Sequence, residues 1–449
     1  MSLHSILPEL GEQSHDAWLQ QALAAYAAEG VSIEVNFREL VPALRPGAER
    51  TTHLMHPYPA KLLPAIPYLF LRCPSIIAPG SRVLDPFCGS GTVLLEAVLA
   101  GYRADGADAN PLARTIAAAK LTLADVTALR TALTAILAAA AEDVPPPDVV
   151  NIAHWYHQDV IARLAGLRAG ILAQDDPDIR RFFEICLSAT ARKVSLADPR
   201  LSVPVKINPK RLSVYGAKGA EVVKRLEKLT GEQVAPIFRA IAEQNIDRMA
   251  KLRDAAPGAE PSNLFDDARL IGREDGYYDL VVTSPPYVGA QKYVRASSLG
   301  LGWLGLTPGG RLRDLERLNI GREHYAKSEY ADPQETECDA ANAVIASVRE
   351  LNPLRAHIAS NYLVEMKAAF TETARVTRKG GWLILISGQN LISGMCFDTP
   401  AYLETIATSL GFQTRARLVD DIRSRGLMTK RNRTAGIISQ EVITVMQKP

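Results

Sequence analysis

Two short segments carry residue types, at a spacing, that can do chemistry. Asp85-Pro86-Phe87-Cys88-Gly89-Ser90-Gly91-Thr92 follows the run Ser81-Arg82-Val83-Leu84 and precedes Val93-Leu94-Leu95-Glu96-Ala97, a pattern of strand, glycine turn and helix. Glycine at 89 and 91 lets the backbone take positive φ and approach a ligand closely, so the turn suits a cofactor. Thr283-Ser284-Pro285-Pro286-Tyr287 follows the apolar run Tyr278–Val282 and ends it in a tip that two prolines stiffen and aim. That tip suits an exocyclic amine on a base. Such a nitrogen is a poor nucleophile because its lone pair is delocalised into the ring. The Ser284 oxygen and the Pro285 carbonyl can accept its hydrogens and favour a more tetrahedral nitrogen. Tyr287 offers an aromatic face to a base that has left its stack. Transfer in line to such a nitrogen needs no covalent intermediate and gains rate mainly from positioning.

Acids stand where a cofactor would need them. Asp85 ends the first strand. Asp108, in Asp108-Ala109-Asn110-Pro111, ends a second short strand at Ala104–Ala107, about where such folds place an acid on free ribose hydroxyls. Asp267, in Leu264-Phe265-Asp266-Asp267-Ala268-Arg269, precedes the strand that carries the proline tip. The turn lacks the third glycine of a dinucleotide fingerprint, and no Gly-Lys-Ser/Thr follows it as in a phosphate-binding loop. Cys88 reads as a small residue in a tight turn rather than a nucleophile.

The elements around these segments alternate strand and helix over 81–120, which predicts an α/β fold with a doubly wound, mainly parallel sheet. In such a sheet, ligands sit at the carboxyl ends of the strands near the switch in strand order. Residues 1–50 read as a helical lead-in, with Trp18, Leu19, Leu23 and Tyr26 at roughly helical spacing. Residues 51–120 read as the cofactor-binding part. Residues 121–255 lose the alternation and read as a largely helical insertion, and 256–449 as the catalytic part. Within the last, 288–350 reads as loop-rich, a helix is expected near 354–378, and Phe412–Leu418 with Gln440–Met446 reads as an antiparallel pair.

At 449 residues, 47% hydrophobic and formally +2, the chain suits one large globular domain with an insertion, or two or three domains, and its charge balance neither requires nor excludes nucleic acid. The five cysteines are scattered without a CxxC pair, so reduced thiols, no zinc site and a cytoplasmic location are expected. No apolar run of membrane-spanning length appears.

With these residues quoted, the chain resembles the bacterial and phage DNA amino-methyltransferases, whose signatures are FxGxG and (Asp/Asn/Ser)-Pro-Pro-(Tyr/Phe/Trp). Phe87-Cys88-Gly89-Ser90-Gly91 matches the first and Ser284-Pro285-Pro286-Tyr287 the second. His56-Pro57-Tyr58-Pro59-Ala60-Lys61 is similar to the segment that precedes the cofactor turn in that family. The resemblance covers 53–120 and 264–300. It implies a Rossmann-like class I methyltransferase fold and S-adenosylmethionine as cofactor. The cofactor residues it implies are His56, Tyr58, Lys61, Asp85, Phe87, Gly89, Gly91, Thr92, Asp108, Asn110 and Asp267, with Asp85 toward the methionine ammonium, Asp108 toward ribose and Asp267 toward the adenine amine. Ser284, Pro285, Pro286 and Tyr287 are the implied catalytic tip, and no metal is implied. Serine heading the tip is typical of N4-cytosine enzymes, and aspartate or asparagine of N6-adenine enzymes. The cofactor motif precedes the tip, the reverse of the permuted order common among N4-cytosine enzymes.

The implied partner is double-stranded DNA with the target base flipped out, and a cognate restriction enzyme is a further implied partner. Two basic segments are candidates for holding the duplex, Arg192–Arg211 in the insertion and Asp421–Thr434, and Lys292–Arg295 lies near the tip in sequence. The alternatives are an adenine N6-methyltransferase or a tRNA guanine-N2 methyltransferase, whose Asn/Asp-Pro-Pro-Tyr-Gly tip differs from this one at Ser284 and Val288. A carbon-5 cytosine enzyme needs a Pro-Cys dipeptide, which the chain lacks.

Overall fold

The computed structural model describes residues 12–44, 50–59, 61–139, 143–207, 212–289, 293–307, 311–331, 334–421 and 440–449. Its strands are β1 (Ile33–Val35), β2 (Arg82–Asp85), β3 (Arg103–Ala107), β4 (Leu264–Phe265), β5 (Tyr278–Thr283), β6 (Thr377–Ser387), β7 (Asn390–Ile392), β8 (Met395–Phe397), β9 (Gln413–Asp421) and β10 (Gln440–Gln447). Eight of them form one sheet in the order β1-β9-β10-β6-β5-β2-β3-β4, and β7 and β8 form a separate hairpin. β2 pairs in parallel with both β3 and β5. From β2 the chain first builds outward through β3 and β4, then returns to add β5 and β6 on the other side. The order therefore reverses between β2 and β5, where a doubly wound sheet opens its ligand crevice. β10 runs antiparallel to both β6 and β9, so the sheet is mainly parallel with one reversed strand, as the alternation predicted.

The central strands are apolar because helices cover both faces. Val83, Leu84, Leu280, Val281, Val282, Leu383, Ile384, Leu385 and Ile386 are all fully buried. Between β3 and β4 the chain forms helices at Val126–Ala139, Gln158–Leu172, Pro177–Lys193 and Val234–Ala255, among others. Phe182, Phe183 and Phe238 of these helices belong to the same buried cluster as Val83 and Leu280 of the sheet. No helix among the described residues is long and apolar enough to cross a membrane.

Two expectations change. The lead-in is helical over Glu12–Glu29, but it also supplies β1, which pairs in parallel with β9 at the sheet edge. Three residues are too short for a period-2 signal, and it is the partner strand that makes them a strand. The stretch 288–350 has no helix over 319–331 and 334–338, but it also holds helices at Tyr293–Trp303, Leu312–Leu318 and Asp339–Leu351. In the last, Ala341, Ile345 and Val348 are buried at helical spacing, a pattern readable from sequence. The first is glycine-rich, and its helicity comes from packing against helix Pro177–Lys193.

Candidate active site

The two motifs meet at the reversal in strand order. Because β2 and β5 are parallel neighbours, with Leu84 beside Val281, their carboxyl ends bring Asp85 and Thr283 together. Thr283 Oγ1 donates to Asp85 Oδ1 at 2.7 Å, and the Phe87 amide donates to the same oxygen at 3.1 Å. Asp85 is buried, and burial pushes its carboxyl up to about 7 against these two hydrogen bonds. Thr283 carried no role in the sequence reading. A hydroxyl at the strand end opposite an acid is the signal that identifies it once the pairing is known.

The glycine turn is held by the next strand end. Asp108 Oδ2 accepts from the Gly89 amide at 3.0 Å, and Oδ1 accepts from the Asn110 amide at 2.8 Å. Burial raises Asp108 to about 6, although both amides favour its charged form. Asn110 caps helix Pro111–Leu121, and its Nδ2 donates to Tyr58 Oη at 3.1 Å and to Ser297 Oγ at 3.0 Å. Tyr58 is thereby fixed beside Gly89, where an added Cβ would lie 3.6 Å from Tyr58 Cε1. Gly91 has φ 76 and a different neighbour, since an added Cβ would lie 3.0 Å from Ala117 Cβ and 3.2 Å from its Cα. Gly91 therefore permits close packing of two helices, whereas Gly89 leaves the cleft wall bare. Burial holds the Cys88 thiol well above its ordinary range, with Asp108 and Asp85 adding to the effect, so it stays protonated and is no nucleophile.

One cleft is lined by Tyr58, Phe87, Gly89, Asp108 and Asp267 from the cofactor side and by Ser284 and Pro286 from the tip. Tyr293, at the start of helix Tyr293–Trp303, and Asn319 and Ile320, just past helix Leu312–Leu318, close it. Asp267 is clamped by Arg269, whose Nε lies 2.8 Å from Oδ1 and whose Nη2 lies 3.0 Å from Oδ2. Burial works against its charge, but the arginine bonds prevail and keep the carboxyl below its usual range.

Other expected site residues lie away from the cleft wall. His56 Nε2 is 3.0 Å from Ser188 Oγ on helix Pro177–Lys193, and burial with nearby Lys120 and Lys61 pushes its imidazole down to about 3. Lys61 is exposed and donates to the His53 carbonyl at 2.9 Å. Thr92 is buried as the first residue of helix Thr92–Leu99. Pro285 is buried, and Tyr287 Oη donates to Glu441 Oε1 at 3.2 Å. An unforeseen network anchors the segment leading to the turn. Glu96, fully buried on helix Thr92–Leu99, accepts from Arg50 Nη2 at 2.8 Å, and His53 Nε2 lies 2.8 Å from its other oxygen. Removing one partner of such a buried pair costs about 3–5 kcal/mol.

Three cations of the basic stretch in the insertion are engaged within the fold. Arg192 Nη2 donates to the Asp198 and Leu201 carbonyls, Arg200 forks onto Asp198, and Lys206 donates to the His154 carbonyl. Residues 208–211 of that stretch, residues 422–439 of the second basic segment, and Lys292 lie outside the described residues.

Comparison with known proteins meets this geometry at the cofactor side. Residues 55–109 match the family described as UPF0020, an RMKL-like methyltransferase domain. The chain is 26% identical over 282 residues to the Type II methyltransferase M.MvaI of Kocuria varians, covering 59% of this chain and 60% of that enzyme. It is 22% identical over 380 residues to the Type II methyltransferase M.AvaI of Nostoc sp., covering 75% of this chain and 74% of the relative. A tRNA (guanine(10)-N2)-dimethyltransferase of Methanothermobacter thermautotrophicus is 43% identical over 51 residues, which is 11% of this chain and 15% of that protein. The chain thus spans about 60% of the length of the Kocuria varians enzyme.

Proposed function

We propose that this chain, which is related to Type II methyltransferases, uses S-adenosylmethionine to methylate the exocyclic amine of a flipped base in DNA, with cytosine N4 as the target atom. The observation that carries the reading is the single cleft shared by Gly89, Asp108 and Asp267 with Ser284 and Pro286. Its residues fit the cofactor. The wall is free of a side chain at Gly89, Phe87 and Ala109 offer apolar surface, Asp108 and Asp267 offer carboxylates, and Asp85 lies just beneath the turn. When bound, S-adenosylmethionine supplies an electrophilic methyl group on sulfur.

The protein's residues do the remainder. Asp108 holds hydroxyl groups, and its own orientation is fixed by two backbone amides. Asp85 meets an ammonium group, and Thr283 fixes its carboxyl. The Ser284 hydroxyl and the Pro285 carbonyl accept the hydrogens of the target amine, and the two prolines hold those acceptors still before the base arrives. Tyr287, its hydroxyl tied to Glu441, presents its ring to the flipped base. Serine at the head of the tip favours cytosine N4 over adenine N6. An RNA substrate is the second reading. Its support is the short match to the tRNA enzyme, which is confined to a small part of each chain. Incubating the protein with radiolabelled cofactor and either duplex DNA or tRNA tests the polymer. Label is expected in DNA, and label in tRNA alone would overturn the reading.

The raised carboxyls give the cofactor site a pH dependence. An ammonium at Asp85 and hydroxyls at Asp108 both prefer the carboxylate form. Affinity should therefore climb as pH rises through about 6 and about 7, by at most about tenfold per pH unit for each group. The stability of the ligand-free protein should move the other way. Both folded values lie above the ordinary 3.8, so the folded state binds more protons between that value and about 7, and these groups' contribution falls across that window. Calorimetric titration of the cofactor between about pH 5.5 and 8 measures the first effect, and a flat affinity would exclude these two carboxyls from the site.

A further inference from the structure

The cleft does not end at Tyr293. Tyr293, Asn319 and Ile320 also line a second recess that continues past the tip and is bounded by Arg295, Arg322 and His324. We propose that this recess seats a backbone phosphate of the DNA strand next to the flipped base. The proposal rests on the reading of the main cleft as a nucleobase methylation site.

Three observations support it. First, the recess is contiguous with the cleft that holds Ser284, through three shared residues. A strand whose base entered the cleft would have to run past it. The same segment also passes close to the tip, since a Cβ added at Gly321 would lie 3.6 Å from the Tyr287 carbonyl oxygen. Second, Arg322 is preorganised as a donor. Its guanidinium lies 4.0 Å from the centre of the Tyr325 ring, and Glu329 accepts from Nη2 at 2.8 Å. A planar guanidinium held between a ring and a carboxylate at the wall of the recess suits a phosphate oxygen. Third, the recess presents a cation in the open. Arg295 is exposed there. Of the nearby carboxylates, Glu323 is paired with Arg355 at 3.5 Å and Glu329 with Arg322, which leaves Glu316 as the acid lining the recess without an ion pair among the described residues. By contrast, Arg192, Arg200 and Lys206 of the insertion spend their donors within the fold.

Phosphate contacts are read from the salt dependence of binding, because each releases condensed counterions. Fluorescence anisotropy of a labelled duplex carrying methylatable sites, titrated with wild type, Arg295→Gln, Arg322→Gln and the double variant over a range of salt, gives the slope of log affinity against log salt. Each single variant should flatten that slope by about 0.9 and weaken binding about fivefold at 0.15 M salt, and the double variant by roughly twice that slope change. Lys193→Gln, an exposed cation on the insertion, serves as the comparison and should leave the slope unchanged. Calorimetric affinity for S-adenosylmethionine, expected to match wild type in every variant, verifies that each is folded. Unchanged slopes for Arg295→Gln and Arg322→Gln in a protein that still methylates DNA would overturn the phosphate seat and leave the methylation reading standing. A flattened slope for Lys193→Gln alone would move the DNA path to the insertion. Absence of DNA binding or methylation by wild type would instead sink the reading on which the recess depends.

Discussion

Gly91→Leu is expected to lower the unfolding free energy of the protein by roughly 2–5 kcal/mol. The left-handed φ of 76 at this position costs a residue with a Cβ about 1–2 kcal/mol, and forcing a side chain into a packed interior adds typically about 1–3 kcal/mol. The clash is with Ala117 on helix Pro111–Leu121, whose Cα would lie 3.2 Å from the new Cβ, so there is no flexible side chain to yield. The same substitution at Gly89 should act elsewhere. Its φ of 49 is also left-handed, but its Cβ would face the Tyr58 ring across the cleft wall at 3.6 Å. Gly89→Leu should fold with a smaller loss and bind S-adenosylmethionine poorly or not at all. Urea unfolding and cofactor calorimetry on the two variants separate the effects. Equal stability loss with equal affinity loss would mean that the turn does not divide its glycines in this way.

Ser284→Ala is expected to cut turnover by on the order of 100-fold while leaving cofactor affinity at the wild-type value. The estimate follows from what preorganised hydrogen bonds to reacting groups are worth in closed sites. The proline-stiffened tip keeps the serine oxygen in place without reorganisation at the moment of transfer. Because Ser284 lines the cleft from the β5 side and makes none of the hydrogen bonds that hold Asp85, Asp108 or the glycine turn, its loss should not disturb the cofactor wall. Single-turnover kinetics with saturating cofactor is the measurement, and a loss appearing in cofactor affinity rather than rate would remove the serine from the chemical step.

Much of this arrangement is legible in the sequence. The alternation over 81–120 and the run Tyr278–Val282 give strands of one mainly parallel sheet, one ending in a glycine turn and the other in a proline tip. What was not legible is which side chains turn toward that crevice. His56 and Lys61 lie in a proline-rich approach with no period to orient them, and the structure turns one to Ser188 and the other to the His53 carbonyl. Gly91 looked like part of the ligand wall because Gly89 is, but the two positions face different neighbours, and a pattern of spacing does not carry that difference. Thr283 became visible only through the β2–β5 pairing, a contact between residues nearly two hundred positions apart. Helix Tyr293–Trp303 was hidden for a related reason. It carries two glycines and is held by packing against helix Pro177–Lys193, whereas Leu312–Leu318 is a short run of good helix formers that local propensity supports.

Charge in the sequence does not say which cations stay open. Arg192–Arg211 reads as a surface for DNA because six cations fall in twenty residues. Among the described residues there, Arg192 and Lys206 bond backbone carbonyls and Arg200 bonds a carboxylate, while Lys193 is exposed. Cations that satisfy internal acceptors are poor counter-charges for phosphate. The recess beside Tyr293 has fewer cations in sequence, but it adjoins the cleft, and Arg295 there is exposed.

The most direct test is the chemical identity of the product. Duplex DNA methylated by the wild-type protein, digested to nucleosides and resolved by mass and retention, should contain N4-methylcytosine. N6-methyladenine would move the target base while leaving amine methylation of DNA in place. Methylated guanine in tRNA, with DNA left unmodified, would contradict the account at its centre.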